Sequence, residues 1–250
     1  GETVADNLYI FIDYGEGGVT LSRCIKELDM EIVVKGRLAL QIASGLDHIE
    51  KCFPIKNYIH WDLKPANVLV ECLRDDNGKL IPKRAKIGDF GVAMTVQYAS
   101  PETFHCFGSE LAAKTQHQWS WATTFLAVLL GECTWVDYGS AFRELQRQLE
   151  YVPQLGDNDG RLFVFCLQIC ERCMNLDPEL RCSMEYVVAE LSRALCDVDK
   201  AQPSVERDRF ELLNLHTNIG DILHTHLTKS SEDYERAEAH LDAAKKLAAE

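Results

Sequence analysis

An aspartate, a lysine and an asparagine lie within six residues of one another, at Asp62, Lys64 and Asn67. A second aspartate, Asp89, follows on a turn flanked by glycines. Carboxylate and amide oxygens are the ligands with which proteins hold magnesium on a polyphosphate. A further carboxylate can orient an attacking hydroxyl group. The spacing therefore favours a site at which a metal-bound polyphosphate meets a hydroxyl nucleophile.

The sequence around these residues resembles the catalytic loop and the metal-binding loop of eukaryotic-type protein kinases. The two loops are His60-Trp61-Asp62-Leu63-Lys64-Pro65-Ala66-Asn67 and Asp89-Phe90-Gly91. The resemblance covers residues 7–196 and corresponds to the larger, C-terminal lobe of such a kinase. It implies a mainly α-helical fold (α+β) with short β-hairpins, ATP and Mg²⁺ as cofactors, and a protein as substrate.

The resemblance gives each polar residue of these loops a role. Asp62 would orient the substrate hydroxyl, and Lys64 would neutralise charge on the transferred phosphoryl group. Asn67 and Asp89 would bind magnesium. Thr95 falls where Ser/Thr kinases place a threonine against the catalytic aspartate and lysine, and a lysine at position 64 also favours serine or threonine as the acceptor.

The resemblance also implies contacts for adenine and a structural ion pair. The backbone of Asp13 and Gly15 would hydrogen-bond adenine at the hinge, beside a gatekeeper at Ile12 and above a floor formed by Leu69. Further along the chain, Glu102 should pair with Arg181. If that pair is buried, removing one partner costs about 3–5 kcal/mol.

The sequence departs from the kinase pattern at four places. The small lobe is largely missing, and because the first residue is Gly1 rather than methionine we expect a piece of a longer protein. Trp61 replaces the arginine that grips a phosphate on the activation loop. Only residues 91–94 separate Phe90 from Thr95. The two changes together favour a site that loop phosphorylation does not switch.

The fourth departure lies in the predicted central helix, where His117 and Ala122 stand in place of an aspartate and a glycine. The aspartate normally accepts a hydrogen bond from the catalytic-loop backbone. A neutral histidine offers one donor and one acceptor, so we expect a weaker or pH-sensitive anchor. Two interpretations stay open: a protein kinase that is incomplete without its small lobe, and a pseudokinase or scaffold that binds other proteins.

Composition and charge exclude some partners. The chain has 250 residues, of which 46% are hydrophobic, and a formal net charge of −13. This charge argues against nucleic acid, because phosphate binding needs clustered lysine and arginine. No apolar run approaches the roughly 20 residues that span a bilayer, so no membrane association is expected. Ten cysteines without a secretory signal favour reduced thiols in a cytoplasmic protein.

The resemblance and the hydrophobic pattern together predict three regions. They are a kinase-like domain over 1–198, a linker over 199–204 and a helical extension over 205–250. Strands are expected at 8–12, 67–72 and 84–88, the last two joined by a turn at 75–78. Helices are expected at 31–51, 116–130, 139–150, 160–174, 184–196, 205–226 and 231–249.

Two rival patterns remain. Cys166, Cys170 and Cys173 have the C-x3-C-x2-C spacing of iron–sulfur clusters in radical enzymes, but they fall inside an amphipathic helix, which favours core thiols. Small and apolar residues of the extension resemble a tetratricopeptide helix pair, which could bind a protein partner. One repeat cannot bury its apolar face alone, and an ordinary helical hairpin fits the same residues.

Overall fold

The computed structural model describes residues 18–52, 59–76, 78–90, 94–107, 109–151 and 158–201. The chain divides into two units, Gly1–Leu195 and Cys196–Glu250, and only residues 196–201 of the second are described. The strand predicted at 8–12 and the extension at 205–250 therefore lie outside the described residues. The same holds for the hinge and gatekeeper positions, which are Ile12, Asp13 and Gly15.

A small antiparallel sheet carries the two chemical loops. Its strands are β1 (Val19–Thr20), β2 (Val68–Arg74) and β3 (Leu80–Ile87), in the order β1-β2-β3. Val68 and Val70 of β2 are fully buried, whereas Leu69 points to the opposite face and is half-buried. Val68 pairs with Ile87, so the residue before β2 lies beside the residue after β3.

The predicted hairpin is present, but β3 begins at Leu80 rather than at 84. The pairing is irregular between Glu71 and Cys72, and Pro82 lies opposite Cys72 at that point. A bulge on an edge strand tolerates proline, which has no N–H to donate. Gln41 from a neighbouring helix bonds β3 on both sides of Arg84, donating to Lys83 O at 3.1 Å and accepting from Ala85 N at 2.6 Å.

Helices make up most of the remaining described chain, as the sequence predicted. In chain order they are α1 (Leu21–Glu27), α2 (Ile32–Cys52), α3 (Pro101–Cys106), α4 (Glu110–Leu130), α5 (Tyr138–Tyr151), α6 (Asn158–Cys173) and α7 (Met184–Ala201). The sequence did not predict α1 and α3. Both are short and start at local signals, a capping Thr20 for α1 and a proline in the first turn of α3.

Helix α4 is the centre of the core. It begins at Glu110 rather than at 116, because the Ser109 side chain accepts a hydrogen bond from Ala112 N and caps the helix. Trp119, Trp121 and Phe125 are all but fully buried along it. No helix within the described ranges is long and apolar enough to cross a membrane.

Candidate active site

Side chains of the central helix hold the backbone of the catalytic loop, residues 59–67. Although α4 is buried, it carries polar residues on the face beneath this loop. They make three bonds to it: His60 N to His117 Nε2 at 3.0 Å, Gln116 Nε2 to Trp61 O at 3.5 Å, and Thr124 Oγ1 to Leu63 O at 3.4 Å. Buried backbone groups need such partners, so these bonds fix the loop on α4.

His117 performs the anchoring task of the aspartate that it replaces. Its Nε2 accepts from His60 N, so its hydrogen must be on Nδ1, which lies 2.9 Å from Glu50 Oε1. The neutral ring therefore uses its one acceptor on the catalytic loop and its one donor on α2. Nothing in the local sequence singles out Glu50, which lies on α2, two helices earlier in the chain.

His60 joins the catalytic loop to the metal-binding loop. Its Nδ1 accepts from Asp62 N at 3.3 Å, and its Nε2 donates to Gly88 O at 2.8 Å. The ring is fully buried, and burial lowers the pKa of His60 below its ordinary value. The Phe90 ring lies 4.7 Å from the His60 ring, centroid to centroid. A neutral His60 thus sets the distance between the two loops.

The Asp62 carboxylate is held through one of its two oxygens. Lys64 Nζ lies 2.6 Å from Oδ2, and Asn67 Nδ2 lies 3.2 Å from Oδ2 and 2.8 Å from Asp62 O. Burial alone would raise the pKa of Asp62, but Lys64, through its hydrogen bond and its charge, and the neighbouring Thr95 hold it below its ordinary value. Oδ1 is buried and has no hydrogen-bond partner among the described residues.

Thr95 contacts the lysine of the catalytic loop. Lys64 Nζ donates to Thr95 Oγ1 at 2.8 Å while it also contacts Asp62. The lysine therefore connects the Asp62 carboxylate to the segment that follows residue 94. Phe90 lies against His60 and Thr95 against Lys64, so both ends of the short intervening segment reach the catalytic loop.

The hairpin register places the backbone of Asn67 beside Gly88, the residue before Asp89. Gly88 N donates to Asn67 O at 2.9 Å, just beyond the Val68–Ile87 pair. Asp89 has a φ of +56°, which is uncommon for a residue with a Cβ, and its side chain is exposed. No three His, Cys, Asp or Glu residues cluster as a metal site in the described part of the chain. Magnesium on a polyphosphate needs only one or two protein oxygens, and an amide and a carboxylate suit it.

The Glu102–Arg181 ion pair predicted from the sequence is present and nearly inaccessible. Arg181 Nη1 and Nη2 bond both carboxylate oxygens of Glu102, at 2.5 and 2.9 Å. The side chains are 9% and 1% exposed for Glu102 and Arg181. Burial alone would raise the pKa of Glu102, but Arg181 and Thr115 lower it. The guanidinium also lies 5.0 Å from the centre of the Trp119 ring.

Gln116 is a positioning residue that the sequence did not reveal. Its Oε1 accepts from Ser100 N at 3.1 Å and from Thr103 Oγ1 at 2.9 Å, while its Nε2 reaches Trp61 O. It thereby joins the catalytic loop to the start of α3. A glutamine in an apolar helix was the available signal, but sequence alone does not say which backbone groups it contacts.

Trp61 and the cysteines of α6 have apolar surroundings. The Trp61 ring lies 4.8 Å from the Phe107 ring, centroid to centroid, where the family would present an arginine. Cys166, Cys170 and Cys173 are fully buried on α6, and burial raises the pKa of Cys166 to about 12. These are the surroundings of core thiols.

Comparison with known proteins agrees with this arrangement. The family model described as "Protein kinase domain" matches residues 2–191. The chain is 27% identical over 190 residues to mitogen-activated protein kinase kinase kinase 1 of Arabidopsis thaliana, covering 70% of this chain and 28% of the relative. It is 31% identical over 203 residues to mitogen-activated protein kinase kinase kinase YODA of the same plant, covering 72% and 20%.

A third relative is serine/threonine-protein kinase grp of Drosophila melanogaster, 27% identical over 235 residues, which cover 81% of this chain and 43% of the relative. The chain therefore spans less than half the length of each of these relatives. The family match extends over most of the described structure and includes both chemical loops. The chain belongs to the protein kinase domain family.

Proposed function

We propose that this chain supplies the catalytic lobe of a protein kinase that transfers the γ-phosphoryl group of ATP to a serine or threonine hydroxyl. The observation that carries the proposal is the asymmetry of the Asp62 carboxylate. Lys64 and Asn67 occupy Oδ2, whereas Oδ1 is buried without a partner. A buried acceptor left unpaired is costly, and a substrate hydroxyl would satisfy it.

The transfer follows from this geometry. Ionised Asp62 accepts a hydrogen bond from the substrate hydroxyl at Oδ1, orients its oxygen toward the γ-phosphorus and receives its proton. Lys64 already lies at the Asp62 carboxylate, where it can offset charge on the transferred group. Asn67 and Asp89 would hold Mg²⁺, which neutralises phosphate charge when bound. Leu69, on the half-buried face of β2, would contact adenine with the backbone of Asp13 and Gly15.

The preference for serine or threonine rests on Lys64 and Thr95. Lys64 Nζ donates to Thr95 Oγ1 at 2.8 Å and also contacts the Asp62 carboxylate. It would thereby connect the segment that receives the substrate to the group that orients the hydroxyl. Two of the three relatives described above are named as mitogen-activated protein kinase kinase kinases, and the third is named as a serine/threonine-protein kinase. These names support a protein as the phosphate acceptor. We expect the protein to act in the cytoplasm on a protein substrate.

Activity is proposed to be independent of phosphorylation between residues 91 and 95. Trp61 packs against Phe107 and has no charge with which to hold a phosphate. Phosphatase treatment of the active protein should leave its transfer rate unchanged. Peptide mass mapping that finds a phosphate in residues 91–95, together with loss of activity on its removal, would contradict this part of the proposal.

The experiment that tests the function uses the full-length gene product with ATP, Mg²⁺ and a generic protein acceptor. We expect Mg²⁺-dependent ATP binding, and phosphoserine or phosphothreonine in the acceptor. Asp62→Ala should abolish the phosphorylation. If wild type and variant transfer no phosphate and bind no nucleotide, the catalytic proposal fails, and the lobe is better explained as a scaffold that contacts partners through its own surface and the 205–250 extension.

A further inference from the structure

Two cysteine thiols face each other beside the buried ion pair. Cys173 ends α6, and Cys182 directly follows Arg181 in the chain. Their Sγ atoms are 3.3 Å apart and hydrogen-bonded. A disulfide has an S–S distance of about 2.05 Å, so the two sulfurs need to approach by only about 1.3 Å.

The two thiols differ in exposure and acidity. Cys173 is fully buried, and burial raises its pKa well above the ordinary value. Cys182 is only partly buried, and the hydrogen bond from Cys173, with the charge of Arg172, lowers its pKa. A partly exposed thiol with a lowered pKa, with a second thiol 3.3 Å away, is the arrangement found where oxidation is reversible.

The chain between the two cysteines is already folded back in the thiol form. Arg181 Nε donates to Asn175 O at 2.9 Å, and the Asp177 side chain accepts from Glu179 N at 3.0 Å. Arg181 is in turn fixed by Glu102 and by Thr115 O. The loop therefore needs no unfolding before its two ends can be joined.

We propose that Cys173 and Cys182 form a reversible intramolecular disulfide, which makes this pair an oxidation site of the kinase lobe. The oxidant is a peroxide such as hydrogen peroxide. The proposal concerns the thiols alone and does not depend on phosphoryl transfer.

The chemistry proceeds in two balanced steps. The Cys182 thiolate attacks one oxygen of hydrogen peroxide, and the O–O bond breaks. Hydroxide departs, and Cys182 becomes a sulfenic acid. The Cys173 sulfur then attacks the sulfenic sulfur, the S–O bond breaks, and the thiol proton and hydroxyl group depart as water. In sum, two thiols and one peroxide give one disulfide and two waters, and a dithiol reductant reverses the oxidation.

Peptide mapping of the full chain tests this directly, because trypsin separates the two cysteines into different peptides. Trypsin cuts after Arg172 and after Arg181, so residues 173–181 and 182–193 leave as separate peptides. After mild peroxide treatment of the folded protein and alkylation of remaining thiols, we expect one species that joins both peptides, lighter than their sum by two hydrogen atoms. Dithiothreitol should separate it into the two free peptides.

Two variants complete the test. Cys182→Ser should abolish the joined species, whereas Cys196→Ser, which removes an exposed thiol elsewhere, should leave it intact. The wild-type measurement stands by itself if a variant does not fold. The proposal is overturned if both cysteines of oxidised wild type remain open to alkylation, or if Cys182 accumulates as sulfinic acid while Cys173 stays a free thiol.

Discussion

The backbone N–H of His60 donates to Nε2 of His117 at 3.0 Å, and this bond anchors the catalytic loop on the central helix. The histidine can serve in place of an aspartate because its other nitrogen donates to Glu50 at 2.9 Å. The anchor thus involves three residues from three separate parts of the chain. We expect a variant that breaks this anchor to lose folding stability more readily than catalytic activity.

Replacing His117 by alanine should lower the free energy of unfolding by about 1–3 kcal/mol, because the N–H of a fully buried residue loses its acceptor. His117→Asp should also be less stable than wild type, since its carboxylate would lie beside that of Glu50. Adding Glu50→Gln to His117→Asp should recover much of the loss. Urea denaturation followed by tryptophan fluorescence measures all three.

The matched control is Glu50→Gln alone, which keeps an acceptor for His117 Nδ1 and should be nearly neutral. An unfolding free energy for His117→Ala equal to that of wild type would show that the catalytic loop does not depend on this bond. Failure of Glu50→Gln to improve His117→Asp would mean that repulsion between the carboxylates is not the cause of its instability.

The buried ring of His60 predicts a loss of stability in mild acid. Burial lowers its pKa below the ordinary value of about 6.5. Below that value the unfolded chain binds a proton that the folded chain does not, so the stabilisation is complete above it and declines as the pH falls. We expect the melting temperature to drop between about pH 7.5 and pH 5.5.

The pH comparison needs a variant at each of two histidines. His60→Gln should make the drop shallower, because glutamine does not titrate, whereas His105→Gln, at an exposed position on α3, should keep the wild-type profile. The depressed pKa values of Asp62 and Glu102 confine their titration to more acidic solutions. A His60→Gln profile parallel to wild type would refute the assignment to His60.

The Glu102–Arg181 pair should be worth far more than a surface pair. Glu102→Ala leaves the Arg181 guanidinium buried without its carboxylate, and we expect a loss of about 3–5 kcal/mol in unfolding free energy. The control is Arg23→Ala, whose partner Glu27 is half-exposed, with an expected change of at most about 1 kcal/mol. Equal effects in the two variants would contradict the prediction.

The sequence predicted the contacts between its motif residues and the positions of the long helices. The motif residues Lys64, Thr95, Glu102 and Arg181 lie in contact as expected, because their spacing reports a shared fold. The long helices followed from apolar periodicity, which depends only on local sequence. The predicted start of α4 was wrong because Ser109 caps the helix, which therefore begins in residues with little hydrophobic periodicity.

Contacts between distant polar residues that belong to no family motif could not be predicted. Glu50 and Gln116 are ordinary polar residues in helical sequence, and their partners are set by how α2 and α4 pack around the loop. The unpaired Oδ1 of Asp62 is likewise a property of the assembled site. The early start of β3 depends on a bulge in β3 next to Pro82, and a proline by itself argues against a strand.

The most direct test of the account is the rate of phosphoryl transfer by Asp62→Asn, which keeps the shape of the side chain and removes its charge. With ATP, Mg²⁺ and acceptor saturating, we predict a fall in kcat of at least about 10²-fold while the Kd for nucleotide is unchanged. Asp76→Asn, on the exposed hairpin turn, is the matched control and should transfer at the wild-type rate. Transfer by Asp62→Asn at the wild-type rate would contradict the role of Asp62 as the group that orients the hydroxyl.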